Sequence, residues 1–366
     1  IAGITSLLVA FCFAELTSAL PTSGSAYTFA YVIFGEVWAW IVGWALVMEL
    51  LLASAVVSRV WSLYAAQLLT DLGVRFPAPL AAITGRAEGF DLFALFILVL
   101  LTVVVTLGAR IGLRALRIIV IAKLLAIGAV IVVGVTHFDQ RNLAAIPVPP
   151  APAKSAANVL QSPLLSLVFG QTGAFGWFGI FAASAVITFA YIGFDVVATA
   201  AEESEDAPWS VPKGIIRSLI VTTVIYIAVA LVMVGMTSYE KIDVGAPLVN
   251  AFREAGEGFM VHIINLGAVL SLTTVVLVLL VGLTRVLFSM ARDGLFPRGL
   301  ARVNRRYHSP TRVTLLIGGV AILLAEFVPV LTLEPLVVIG TLLVFVSVAC
   351  GVPRGSGPSC ISSIEY

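Results

Sequence analysis

Residues 187–203 read ITFAYIGFDVVATAAEE. They continue an apolar run that begins near Phe178, long enough to cross a hydrocarbon core of roughly 30 Å. Near the middle of that run stand Gly193, which weakens a helix, and Asp195, a carboxylate that is costly in lipid. Backbone that stops being helical at membrane depth is tolerated only where protein or a polar cavity surrounds it. The stretch therefore reads as a broken membrane helix whose unwound turn faces something polar. Such a turn leaves the carbonyls of Phe189, Ala190 and Ile192 without intrahelical partners, an acceptor cluster suited to a ligand's ammonium group. Gly193 permits the turn. Phe194 is placed to lie over the ligand as a gate. Asp195 reads as a cap on the first free N–H groups of the following half-helix, a position Asp favours. Direct ligand contact by Asp195, and a packing kink with no ligand at all, are the alternatives.

The composition of the chain agrees with that reading. Of 366 residues 60% are hydrophobic and 11% charged, against about 25% charged in a soluble domain. Apolar runs of membrane-crossing length recur, and strand-like alternation over about ten residues, the mark of a membrane barrel, does not. The net charge of +1 offers no basic domain for nucleic acid. Cys12, Cys350 and Cys360 have neither disulfide nor metal-ligand spacing, so no metal is expected. Cys12 reads as a small apolar filler.

Nine spans are expected, over residues 1–19, 36–69, 91–108, 113–135, 178–201, 214–236, 262–290, 312–331 and 335–352. The prolines of "AIPVPPAPAK" mark an extended segment in the loop 136–177, followed by a short interfacial helix at "NVLQSPLLSLVF". Basic residues then set the orientation. One set of loops carries Arg110, Arg114, Arg117, Lys213, Arg217, Arg292, Arg298, Arg302, Arg305, Arg306, Arg312 and Arg354. The opposite set holds half as many over longer loops. The positive-inside rule puts the first set in the cytoplasm. The chain opens in mid-helix at Ile1 and closes on a polar tail, 353–366. It reads as a fragment: a membrane core over 1–352 and a tail that is not native to it.

Five charges fall inside spans: Glu49, Arg59, Lys123, Asp195 and Arg285. Each costs about 2.5–3.5 kcal/mol at the bilayer centre, so each needs a partner, a cavity or the interface. Lys123 and Glu49 both sit near mid-depth, on helices running the same way. A pair between them is the economical expectation. Arg59 is expected to reach the outer interface, and Arg285 to snorkel or pair near the inner end. Thr273 and Thr274 either line the polar site or bond back to their own helix.

Four stretches carry a family resemblance: "AELTSALPTSGSAYTFAY" (14–31), "FAYIGFDVVATAAEE" (189–203), "PKGI" (212–215) and "TRVLFSMARDGLFP" (284–297). In this order and spacing they resemble the amino acid–polyamine–organocation superfamily, most closely its cationic-amino-acid-transporter-type branch. The resemblance covers residues 1 to about 350. It implies an all-α polytopic membrane protein with a leucine-transporter-type 5+5 inverted repeat. The nine spans would be family helices two to ten. Family helix one, half of the substrate site, and the helices after the tenth would be absent. The resemblance implies that 189–195 is the unwound part of helix six, and that Thr273 and Thr274 lie on helix eight. It also places Lys123, in "IAKLL", where proton-coupled members carry a lysine on helix five. The ammonium there stands in for a sodium ion, and Glu49 is its expected partner.

The implied function is secondary active transport of cationic or small neutral amino acids, by proton symport or by exchange. The expected surroundings are a multi-pass position in a cell membrane, lipid and an amino acid substrate. No cofactor is implied beyond a coupling proton. The alternatives are a non-transporting fragment of such a permease, or a membrane channel or structural protein. An enzyme is disfavoured: the spans hold no nucleophile–base pair and no paired catalytic carboxylates. His137, His262 and His308 fall at helix ends or in loops.

Overall fold

In the computed structural model the described residues are 1–366 except 21–23, 75, 87–88, 109–112, 145–175, 200–205, 239–241, 243–245, 305–308 and 356–366. Among them the chain is helical throughout, with no strand. We number the principal helices α1 (Ala2–Ala19), α2 (Ala26–Phe34), α3 (Glu36–Asp71), α4 (Leu92–Thr106), α5 (Leu113–Thr136), α6 (Gly176–Ile187), α7 (Phe194–Thr199), α8 (Ala207–Met236), α9 (Pro247–Glu254), α10 (Gly258–Arg292), α11 (Thr311–Phe327) and α12 (Val330–Gly355). Seven segments are long and apolar enough to cross a membrane: α1, α3, the apolar part of α5, the broken segment Gly179–Thr199, α8, α10 and Pro335–Pro353 of α12. α4 is apolar but shorter, and α11 has 17 residues.

Every expected span has a helix under it, and the starts that move furthest are those of α8 and α12. α8 starts at Ala207 and carries Pro212 inside, and α12 starts at Val330 and carries Pro335 inside. Each of these prolines lies in the second turn, past the N–H groups that have no intrahelical acceptor, so each helix forgoes one backbone bond there. Two further helices, α2 and α9, are too short to span. The interfacial helix expected at "NVLQSPLLSLVF", the acidic run "EESED" up to residue 205 and most of the tail 353–366 lie outside the described residues.

α3 is the axis of the fold. Its 36 residues exceed what an upright span needs, so the helix tilts or projects from the bilayer. It packs against α2, α4, α10, α11 and α12. α1 lies against α8, and α5 lies against α8 and α10. Small residues bring these helices close together. A Cβ on Gly340 of α12 would sit 3.1 Å from the Ala45 carbonyl of α3, and one on Gly282 of α10 would strike Val196 of α7. Close backbone approach of this kind is the usual contact between membrane helices. α5 and α8 leave many of their apolar side chains outward: Ile118, Leu125 and Val132 on one, Val221, Val224 and Ile227 on the other. Those faces suit acyl chains.

Candidate functional site

The helix that begins at Gly176 does break. Its α-helical part ends at Ile187, a 3₁₀ turn covers Thr188–Tyr191, and α7 resumes at Phe194. Two local causes act together. The Thr188 hydroxyl donates 3.0 Å back to the Ser184 carbonyl, a bond that bends helices. Gly193 then takes φ +114° with open space where a Cβ would be, a backbone conformation available to glycine and little else.

The freed carbonyls differ from one another. Ile192 N–H donates 3.2 Å to the Phe189 carbonyl. The Ala190 carbonyl accepts from the Tyr226 hydroxyl of α8 at 2.7 Å, so two of the three expected acceptors already have a protein donor. Among the described residues no donor reaches the Ile192 carbonyl. Asp195 is buried and its Oδ1 accepts the Gly193 N–H at 3.0 Å. It therefore holds the turn shut as well as standing in the first turn of α7. Phe194 is not a free lid: it packs edge-on to Phe13, with centroids 5.5 Å apart, and tilted on Phe345 at 5.4 Å.

The expected ion pair between Lys123 and Glu49 is absent from the structure. Lys123 of α5 is half-buried, and its Nζ donates 2.9 Å to Thr274 Oγ1 of α10. Glu49 of α3 is wholly buried, and among the described residues neither carboxylate oxygen has a hydrogen-bond partner. Its ionisable neighbour is Asp195 of the broken helix. The Thr341 hydroxyl beside it donates instead to the Val337 carbonyl at 3.0 Å. Only shared depth in the membrane argued for the pair. Depth along a helix says nothing about which face a residue occupies, and these two residues meet different helices.

Thr273 and Thr274 bond back to their own helix, one of the two readings made of them. Each hydroxyl donates 2.7 Å to its own helix, to Val269 and Ser271 respectively. Each oxygen also accepts from a neighbour: Trp61 Nε1 of α3 at 2.8 Å for Thr273, and Lys123 for Thr274. α10 is thereby tied to α3 and α5 at adjacent positions.

Arg59 is held by protein acceptors rather than left to solvent. It is 2% exposed, with Nε 2.6 Å from the Ala325 carbonyl, NH1 3.1 Å from the Arg86 carbonyl and NH2 bonded to the Gly89 carbonyl. Asp91 lies at 3.9 Å and Glu326 at 3.6 Å. Asp91 caps α4 through the N–H groups of Phe93 and Ala94 and accepts from Ser62, while its own N–H donates to Glu326. One guanidinium thus joins α3, the loop before α4 and the end of α11. Its planar fork can meet several acceptors at once. Nothing in the sequence pointed to this network, because Asp91 reads only as a helix start and Glu326 only as a helix end. Arg285, near the inner end of α10, reaches Thr199 of α7 at 3.4 Å.

The broken helix sets the buried Asp195 and its neighbour Glu49 inside an apolar bundle, and Lys123 meets a threonine of the facing helix apart from them. The family model described as "Amino acid permease" matches residues 1–352. The chain belongs to the amino acid permease family. It is 36% identical to "Branched-chain amino acid permease BcaP" of Bacillus subtilis over 96% of this chain and 71% of that protein. It is also 36% identical to the "Methylthioribose transporter" of the same organism, over 100% of this chain and 74% of that protein. "Cationic amino acid transporter 3, mitochondrial" of Arabidopsis thaliana is 33% identical over 95% of this chain and 54% of its own length. The permease is a multi-pass integral membrane protein and an amino acid transporter, not an enzyme. Among its described residues no cluster of His, Cys, Asp and Glu has metal-site geometry.

Proposed function

We propose that this permease is a secondary active transporter of the cell membrane that moves small neutral or cationic amino acids by alternating access, using a proton as coupling ion or exchanging one amino acid for another. The observation that carries the reading is the break at Thr188–Gly193. At membrane depth it offers the Ile192 carbonyl to a ligand ammonium, and carbonyls of a discontinuous helix are well suited to such a cation. Among the relatives' names are branched-chain and cationic amino acid carriers, which support the proposed substrate classes, and a methylthioribose transporter, which does not bear on them.

Lys123 is the proposed proton carrier. A membrane-embedded lysine is a group able to exchange its proton, and its hydroxyl partner accepts from the ammonium without neutralising it. Thr274 places that charge against α10, so loss of the proton loosens α5 from α10. Glu49 takes a different part from the one expected. Its neighbour Asp195 belongs to the broken helix and holds the Gly193 N–H, so a charge on Glu49 bears on the turn through that carboxylate.

The test is uptake into proteoliposomes with and without an inward proton gradient, beside a binding assay on the same protein. Lys123→Ala is expected to abolish gradient-driven accumulation and to leave substrate binding intact. Accumulation that still follows the gradient in Lys123→Ala would move the coupling group elsewhere. Leucine, alanine and arginine serve as labelled substrates, and inhibition among them ranks the side-chain classes.

A further inference from the structure

We infer that α2 is the latch of a closed gate on the arginine-rich side of the protein; this inference rests on the transport reading above. Three independent contacts converge on that nine-residue helix. The first is polar: the Ser25 hydroxyl, just before α2, donates 3.1 Å to the backbone carbonyl of Asp195. Ser25 is buried and takes φ +51°, and it is the non-glycine residue with positive φ among those described. A side-chain-bearing residue persists there only when its surroundings over-determine it. The hydroxyl bond to the broken helix is such a constraint.

The second contact joins α2 to the other side of the path. The Tyr27 hydroxyl donates 3.0 Å to Asp293 Oδ2 at the end of α10. Arg292 Nε lies 3.5 Å from the other oxygen, Oδ1. The Tyr27 ring is fully buried, close to Gly43 of α3 and the Met290 thioether. The third contact is apolar. Phe29 of α2 meets Phe13 of α1 edge-on at 6.2 Å, and Phe13 meets Phe194 of α7 and Phe345 of α12 at 5.5 and 6.4 Å. Four helices therefore close on one aromatic plug, with pair geometries that favour ring quadrupoles.

The consequence is mechanical. α7, the half-helix after the break, cannot swing outward on this side without losing the Ser25 bond and parting the Phe13–Phe194 contact. α2 can yield, because a single residue joins it to α3. Gly35 stands there at φ +87°, with no atom within 4 Å of the point where a Cβ would sit, a hinge of the kind that absorbs backbone rotation. Latch and hinge flank the same short helix. Ser25 and Tyr27 are thus positioning residues, acting on substrate passage through α7 and α10.

The test reads the gate without reading transport. Val196→Cys on α7, buried against Gly282, serves as reporter in a background with Cys12, Cys350 and Cys360 changed to Ser. Membrane vesicles of each orientation receive a membrane-impermeant maleimide, with the protein otherwise intact. Ser25→Ala, Ser25→Gly and Tyr27→Phe are each expected to raise the labelling rate from the arginine-rich side about fivefold, the shift expected for one buried hydrogen bond. Asp293→Asn, which keeps an acceptor oxygen for Tyr27, is expected to stay near the parent rate. The Ala and Gly variants separate hydroxyl from strain: glycine relieves the backbone and removes the bond. Parent-like labelling in Ser25→Gly overturns the Ser25 tie, and parent-like labelling in all three variants overturns the latch. If the permease moves no amino acid yet labels as described, the transport reading falls and the latch stands. If it transports and the labelling does not change, only the latch falls.

Discussion

Replacing Arg59 with Met tests the buried network more severely than any surface change would. The perturbation removes the guanidinium that faces Asp91, Glu326 and three backbone carbonyls. Asp91 keeps donors from the Ser62 hydroxyl and from the N–H groups of Arg86 and Phe93. Glu326 keeps the Asp91 N–H on Oε2, and its Oε1 already lacks a partner among the described residues. The uncompensated charge should therefore fall on Glu326. Breaking a buried pair by deleting one member costs about 3–5 kcal/mol, and the carbonyls of Ala325, Arg86 and Gly89 lose the Arg59 donor as well. In dodecyl maltoside, unfolding by SDS titration followed by far-UV circular dichroism reads the cost. Arg59→Met/Glu326→Gln should recover part of it, with a coupling energy of about 0.5–3 kcal/mol, because the second change removes the stranded charge while an amide oxygen still accepts from Asp91. Arg59→Lys should fall between parent and Met, since an ammonium cannot reproduce the fork. A cost below about 1 kcal/mol for Arg59→Met, the size of an exposed pair, would refute the reasoning. So would a double variant no more stable than the single.

Other perturbations follow from the same geometry. Gly193→Ala meets no steric clash, so its whole effect is backbone strain of about 1–3 kcal/mol at φ +114°; substrate affinity should fall at least as steeply as stability, by isothermal titration beside the unfolding assay. Asp195→Asn retains an oxygen for the Gly193 N–H and should keep binding, whereas Asp195→Ala releases the turn and should lose it. Thr274→Val leaves the Lys123 ammonium without its acceptor, costing about 1–3 kcal/mol and reducing gradient-driven uptake more than binding. Cysteines at the exposed positions Gln140 and Arg302 should label from opposite faces of the membrane, Arg302 from the cytoplasmic one; labelling from the same face would overturn the orientation drawn from arginine asymmetry.

Much of the fold is legible in runs of apolar residues, because a bilayer punishes each unpaired backbone group and so leaves few ways to cross it. That is why the spans over α1, α3, α4, α5 and α10 agree closely in sequence and structure. The break at 188–193 is legible for the same reason: only an exception to the rule would put Gly193 and Asp195 together at depth. Pairings are not legible. Lys123 and Glu49 share a depth but not a neighbour, and no periodicity in their two helices predicts which side chain each will meet. Tyr226 capping the Ala190 carbonyl, Glu326 closing on Asp91 and Tyr27 reaching Asp293 all join segments far apart in the chain. Each depends on how the helices rotate against one another, which packing of small residues such as Gly340 and Gly282 decides. The helical starts at Ala207 and Val330 escape a reading of the sequence because proline resembles a boundary even where it sits inside the second turn of a helix.

Counterflow tests the central claim most directly, because it needs a binding site and alternating access but no gradient. Proteoliposomes holding this permease are loaded with unlabelled leucine or arginine and diluted into a trace of the labelled amino acid. Transient accumulation of label above the level in empty liposomes is expected, abolished by Gly193→Ala. Label that never exceeds the empty-liposome level, with a protein shown by circular dichroism to be folded, would contradict it; so would counterflow that survives Gly193→Ala unchanged.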